Sequence, residues 1–207
     1  QARQAFDTDS DGSVSDDEIE AGRITACDEL APALRLVADE EALDLRAIEA
    51  GLSFPPGVGG LSTMRLVCGF EATLAAPIAA ESTRVTYSDE SYPNRLGWRE
   101  LVVRGERGAR IVFSNAPATS ISDELRAYPE DLLSEPLDVS VAEAELRPGS
   151  LPGRAPELAD AAPATRQAES DGFAGLIVVI TAFGGIDTAI SAMKSGADEF
   201  IQKPVSL

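Results

Sequence analysis

The amino-acid sequence predicts a mainly β chain: an antiparallel, β-sandwich-like domain, preceded by an acidic loop with a helix and followed by a linker and a short βαβ fragment. Three observations predict it. Between residues 34 and 147, short apolar runs alternate with polar positions and are punctuated by Pro and Gly turns, as in half-buried antiparallel strands. Ahead of them, "FDTDSDGSVSDDEIE" crowds carboxylates where a helical period begins. Behind them, "LIVVITAF" is an unbroken apolar run of the kind shown by a strand covered on both faces.

The acidic stretch is the most specific feature. Asp7, Asp9 and Asp11 fall at every second residue, followed by Gly12 and then Glu18. Carboxylates this close repel one another, so a folded chain that keeps them neutralises them with a cation. Their spacing is that of the twelve-residue calcium loop of an EF-hand, which needs oxygen ligands at its first, third and fifth places, Gly at the sixth, an apolar residue at the eighth and a bidentate Glu at the twelfth. Asp7, Asp9, Asp11, Gly12, Val14 and Glu18 occupy those places. Ser13 supplies its carbonyl, and Ser15 contributes directly or through a water. The predicted cofactor is calcium, held by Asp7, Asp9, Asp11, Ser13 and Glu18. A second reading of the same residues is an acidic helix N-terminus in which Ser15 caps and Glu18 completes a capping box. The two readings are compatible.

Composition narrows the function classes. With 207 residues, 44% of them hydrophobic, the chain can form one or two domains with real cores. A net charge of −18 excludes nucleic acid and anionic membrane surfaces as partners, because phosphate is repelled; divalent cations are the natural partners. The absence of His leaves no zinc, nickel or copper cluster and no His-based catalytic triad, and the chain is expected not to be an enzyme. Cys27 and Cys68 are read as two separately buried thiols, with a bridge as the alternative in an oxidising compartment. No run approaches the ~20 apolar residues that span a bilayer, so direct membrane insertion of this chain is not expected. The chain starts at Gln1, with only "QARQAF" ahead of the loop, and is expected to be a piece of a longer protein.

Residues 1–33 are assigned to the calcium loop and helix. In the helix, Ile19, Ala26 and Leu30 form the apolar face and Pro32 marks the stop. Residues 34–147 form the β domain, with strands expected at "LRLVA", "LDLRAIEA", "TMRLVCGFEATL", "STRVTYSD", "WRELVVRG" and "ARIVFSN", and Trp98 as a core anchor. In "TMRLVCGFEATL" the period of two puts Met64, Leu66, Cys68, Phe70 and Ala72 on the buried face. Residues 148–175 are rich in Pro, Ala and charge without an apolar period, and read as a linker. Residues 176–207 read as strand, helix and strand, the helix beginning at Gly184. Both lysines of the chain lie in this last segment and every arginine lies before it, which suggests two origins.

The segments "LSFPPGVGGLSTMRL", "YSDESYPNRLGWRELVVRG", "SDELRAYPEDLLSEPLDV" and "ATRQAESDGFAGLI" occur in an order that resembles the extracytoplasmic domain near the N-terminus of bacterial membrane proteins of the nickel/cobalt transporter type. The resemblance covers about residues 5–177. It implies a β domain on the extracytoplasmic side, in front of the membrane part of a transporter. The ion path itself is missing from this chain.

The tail, "VVITAFGGIDTAISAMKSGADEFIQKP", resembles the end of a response-regulator receiver domain. The resemblance implies a switch hydroxyl at Thr181, a swinging aromatic at Phe200 and a phosphoryl-pairing amine at Lys203 before Pro204. The acidic pair and nucleophilic Asp that a receiver also needs are absent, since Asp160 and Asp171 follow no buried strand. The leading expectation is therefore a non-catalytic, calcium-binding extracytoplasmic domain of a transporter-like membrane protein, truncated before its transmembrane part. The alternative is a cytoplasmic two-component signalling protein with an incomplete receiver.

Overall fold

The computed structural model describes residues 3–56, 63–93, 97–105, 108–123, 137–149, 160–164 and 184–185. One α-helix, α1 (Asp16–Leu30), is followed by strands β1 (Leu34–Ala38), β2 (Glu41–Leu43), β3 (Arg46–Ser53), β4 (Arg65–Glu71), β5 (Thr83–Asp89), β6 (Gly97–Trp98), β7 (Ala109–Ser114), β8 (Val141–Pro148), β9 (Ala162–Pro163) and β10 (Gly184–Gly185). Strand outweighs helix among the described residues, 40% to 16%, so the chain is mainly β, and its sheets are antiparallel. The expected receiver-like positions Thr181, Phe200 and Lys203 lie outside the described residues.

The chain forms two compact units that interleave in sequence. Gln1–Pro32, Leu45–Ala72 and Glu157–Asp171 make the first; Ala33–Asp44, Thr73–Pro156 and Gly172–Leu207 make the second. The sequence gathers all the strands of residues 34–147 into one domain, whereas the structure gives each unit its own sheet, with α1 in the same unit as β3 and β4.

In the second unit the sheet order is β2-β1-β5-β8-β7. Strand β5 alternates most cleanly, with Thr83, Val85, Tyr87 and Asp89 buried and the residues between them more exposed. Strand β8 lies between β5 and β7 and was not among the expected strands. Its sequence, VAEAELRP, buries Ala142, Ala144 and Leu146 and turns Glu143 outward, a period of two hidden by residues that favour helices. The strand expected over 98–105 is cut short: Gly97–Trp98 is a strand and Arg99 adds a single parallel bridge to Asp138, while Leu101, Val102 and Val103 are buried in irregular chain. Trp98 is buried, as its anchor role requires. The partner of β6 is β10, so Gly184 and Gly185 are extended rather than the first turn of a helix. Two consecutive glycines start a helix poorly, because each has the most backbone freedom to lose.

In the first unit the sheet order is β4-β3-β9. β9 lies in the segment read as a linker, and its two residues pair antiparallel with Glu49 and Ala50 of β3. Pro163 is tolerated there because β9 is an edge strand. Gly51 makes the approach possible: a Cβ at this position would lie 1.7 Å from the carbonyl oxygen of Asp160. The expected alternation in β4 does not appear. Leu66, Val67, Cys68 and Phe70 are all half-buried, Gly69 is the buried residue, and Met64 is exposed just before the strand.

Helix α1 runs on into a 3-10 turn, Ala31–Ala33, that contains Pro32. Its buried residues are Arg23 and Cys27, while the expected face of Ile19, Ala26 and Leu30 is only half-buried. Two tertiary bonds account for the difference. Cys27 is joined to Cys68 of β4 by a disulfide, so the two cysteines are bridged rather than separate thiols. Arg23 is buried because its guanidinium finds carbonyl acceptors on β3 and β9. No helix among the described residues is long and apolar enough to cross a membrane.

Candidate metal centre

The acidic loop closes on itself through its own carboxylates. The two carboxylate oxygens of Asp7 accept from the backbone N–H of Asp11 at 3.0 Å and of Gly12 at 2.9 Å. Asp9 also accepts from Asp11 N–H at 3.1 Å, and Asp11 accepts from Ser13 N–H at 2.7 Å. These bonds wrap the backbone around a small centre, which requires left-handed conformations at Ser10 (φ 61°) and Gly12 (φ 87°). A Cβ at position 12 would meet nothing within 4 Å, so Gly is needed there for its backbone freedom and not for space.

The result is a trio of oxygens. Carboxylate atoms of Asp7, Asp9 and Asp11 lie within 4.8 Å of one another, Asp7 half-buried and the other two exposed. No ion pair among the described residues reaches them. Three carboxylate side chains that converge without a cationic side chain offer the hard oxygen donors that calcium prefers.

Glu18 stands beside this trio rather than in it. One of its oxygens accepts from Thr8 N–H at 2.5 Å and Thr8 Oγ1–H at 2.7 Å; the other accepts from Ser15 N–H and Ser15 Oγ–H, both at 2.9 Å. The Ser15 hydroxyl in turn accepts from Glu18 N–H, which completes the capping box. These donors, led by the Ser15 backbone and the Thr8 hydroxyl, hold the Glu18 carboxyl down at about 2 from an ordinary 4.5. Asp16, Asp17 and Glu18 also place negative charge at the positive end of the helix dipole. Ser13 sits in the loop with its N–H on Asp11.

Several residues around the loop had no sequence signal. Thr8 ties Glu18 across the loop. Phe6 packs edge-on to Phe54 with ring centroids 6.0 Å apart and fits over Gly22, where a Cβ would fall 2.7 Å from Phe6 Cδ1. An aromatic just before Asp7 and a glycine in mid-helix were the only hints. Elsewhere, in the second unit, the buried Glu100 accepts from the hydroxyls of Ser120 and Ser122 and from Ile121 N–H. This is a satisfied buried carboxylate, with Ser122 fully enclosed.

No protein-family model matches the chain, and neither the curated proteins nor the solved structures compared with it give a match.

Proposed function

We propose that this chain is a non-catalytic, calcium-binding extracytoplasmic domain of a transporter-like membrane protein. The observation that carries the calcium part is the convergence of Asp7, Asp9 and Asp11 around a loop whose left-handed turns fall at Ser10 and Gly12. Asp7, Asp9 and Asp11 would supply monodentate oxygens and Ser13 its carbonyl; Glu18 would join them as the twelfth-place carboxylate by giving up donors from Thr8 and Ser15 in exchange for the cation. A bound calcium supplies the positive charge that offsets their mutual repulsion. Extracytoplasmic placement is supported by the Cys27–Cys68 bridge, since such bonds persist in oxidising compartments and are rare in the cytosol. Attachment to a membrane part rests on the resemblance of the quoted segments.

Titration calorimetry tests the reading. The chain should bind calcium with a Kd on the order of 10⁻⁴ to 10⁻³ M, the range of extracellular modules. Glu18→Gln should lose most of that affinity. Equal heats from both proteins would sink the proposal.

A further inference from the structure

We propose that the Cys27–Cys68 bridge is a thiol-exchange site that opens at one sulfur only. A small thiol from solvent attacks Cys68 and stays on it as a mixed disulfide, while Cys27 is the buried thiol that expels it and closes the bridge again. The proposal stands on α1, β3 and β4 and is independent of the calcium reading.

The two cysteines differ in access. Cys27 is 0% exposed, whereas Cys68 is half-buried in β4, the edge strand of its sheet. Exchange needs a thiolate to reach one sulfur from the side away from its bonded partner. Burial closes that approach at Cys27, so Cys68 is the sulfur that the folded chain offers.

The incoming thiol gives its proton to water. Its thiolate forms a bond to Cys68 Sγ, the bond between Cys68 and Cys27 breaks, and the electron pair leaves on Cys27 Sγ. A bare thiolate is costly in a buried site, so Cys27 takes up a proton from water. An acceptor for the resulting S–H is in place, because Cys27 Sγ lies 3.7 Å from the carbonyl oxygen of Val67. One thiol is exchanged for another, and no other oxidant or reductant is consumed.

Arg23 keeps Cys27 opposite Cys68 while the bond is open. Arg23 stands four residues before Cys27, on the same face of α1, and these two are the buried residues of the helix. Its Nη1 donates at 2.8 Å to the carbonyl of Ala50, and Ala50 is the β3 residue paired with Cys68 across the ladder. Helix residues one turn apart therefore grip two facing positions of the same strand pair, one through a guanidinium and the other through sulfur. Breaking the sulfur link leaves the guanidinium link intact, so the Cys27 thiol meets the mixed disulfide as an intramolecular nucleophile at high effective concentration.

The test uses the oxidised full chain and 2-mercaptoethanol, a neutral monothiol that a net charge of −18 does not repel. The reaction runs at mildly alkaline pH, is quenched in acid at low conversion, and is mapped by peptide mass after alkylation with N-ethylmaleimide. In the folded chain, adduct on Cys68 with alkylated Cys27 should exceed the reverse by at least ~10-fold, and in urea, where both sulfurs are open, the ratio should fall close to one. Dilution of the monothiol before the quench should restore the bridge. Equal adducts in the folded chain, a preference for Cys27, a Cys68 preference that persists in urea, or no adduct until urea is added would each overturn the proposal. So would an adduct that stays on Cys68 after dilution, since Cys27 would then not be the resolving thiol.

Discussion

Removing the bridge between Cys27 and Cys68 should destabilise the first unit far more than the loss of one core contact. The two cysteines are 41 residues apart, and the loop they close leaves the first unit, contributes Ala33–Asp44 to the second and returns. A crosslink over such a loop removes about 13 cal/mol/K of entropy from the unfolded chain, or ~4 kcal/mol at 25 °C. A domain's whole stability is about 5–15 kcal/mol, so this is a large share. With a urea slope of ~1.5 kcal/mol/M the midpoint should fall by about 2–3 M. The comparison is wild type against Cys27→Ser/Cys68→Ser, followed by hydrogen exchange of β3 and β4 amides. Trp98 fluorescence is the internal control, because the only tryptophan belongs to the second unit. Two titratable thiols in the denatured, unreduced chain would refute the bridge itself. A midpoint shift below ~0.5 M would refute the loop-entropy argument.

Three further outcomes are expected. Gly51→Ala places a methyl against the Asp160 carbonyl, and should cost about 1–3 kcal/mol in urea unfolding of the first unit while accelerating exchange at Ala164; unchanged exchange would show that β9 does not need the glycine. Glu100→Ala removes the acceptor shared by Ser120, Ile121 and Ser122, and should lower the stability of the second unit by about 2–4 kcal/mol, read by Trp98 fluorescence in urea. Tyr87 has its phenol pushed up by burial, and further by the Asp89 charge, from an ordinary 10. A raised folded value means that the unfolded chain releases its proton first, so this contribution is intact below pH 10 and is lost as pH rises through the folded value. Each pH unit above 10 should therefore cost ~1.4 kcal/mol, and Tyr87→Phe should flatten that slope. Equal slopes in the two proteins would show that Tyr87 is not the group responsible.

What the sequence determined by itself is local. The spacing of Asp7, Asp9, Asp11 and Gly12 specifies which backbone amides each carboxylate can reach, because all of them lie within five residues. Ser15 and Glu18, three residues apart, specify the capping box in the same way. Strands β1 and β7 match their predicted runs to within a residue, and in β5 alternation over seven residues also states which side faces inward. Tertiary structure decided everything that joins distant segments. Arg23 reads as a surface charge in a helix until Ala50, Ala162 and Pro163 bring their carbonyls to it from 27 and about 140 residues away. The same holds for the Cys27–Cys68 bridge, for a strand at Ala162–Pro163 inside a Pro/Ala-rich stretch, and for β8, whose Ala and Glu residues become a central strand only between β5 and β7. Local spacing sets hydrogen bonds that the chain can close at small entropic cost. Pairings over many tens of residues depend on which surfaces the rest of the fold brings together.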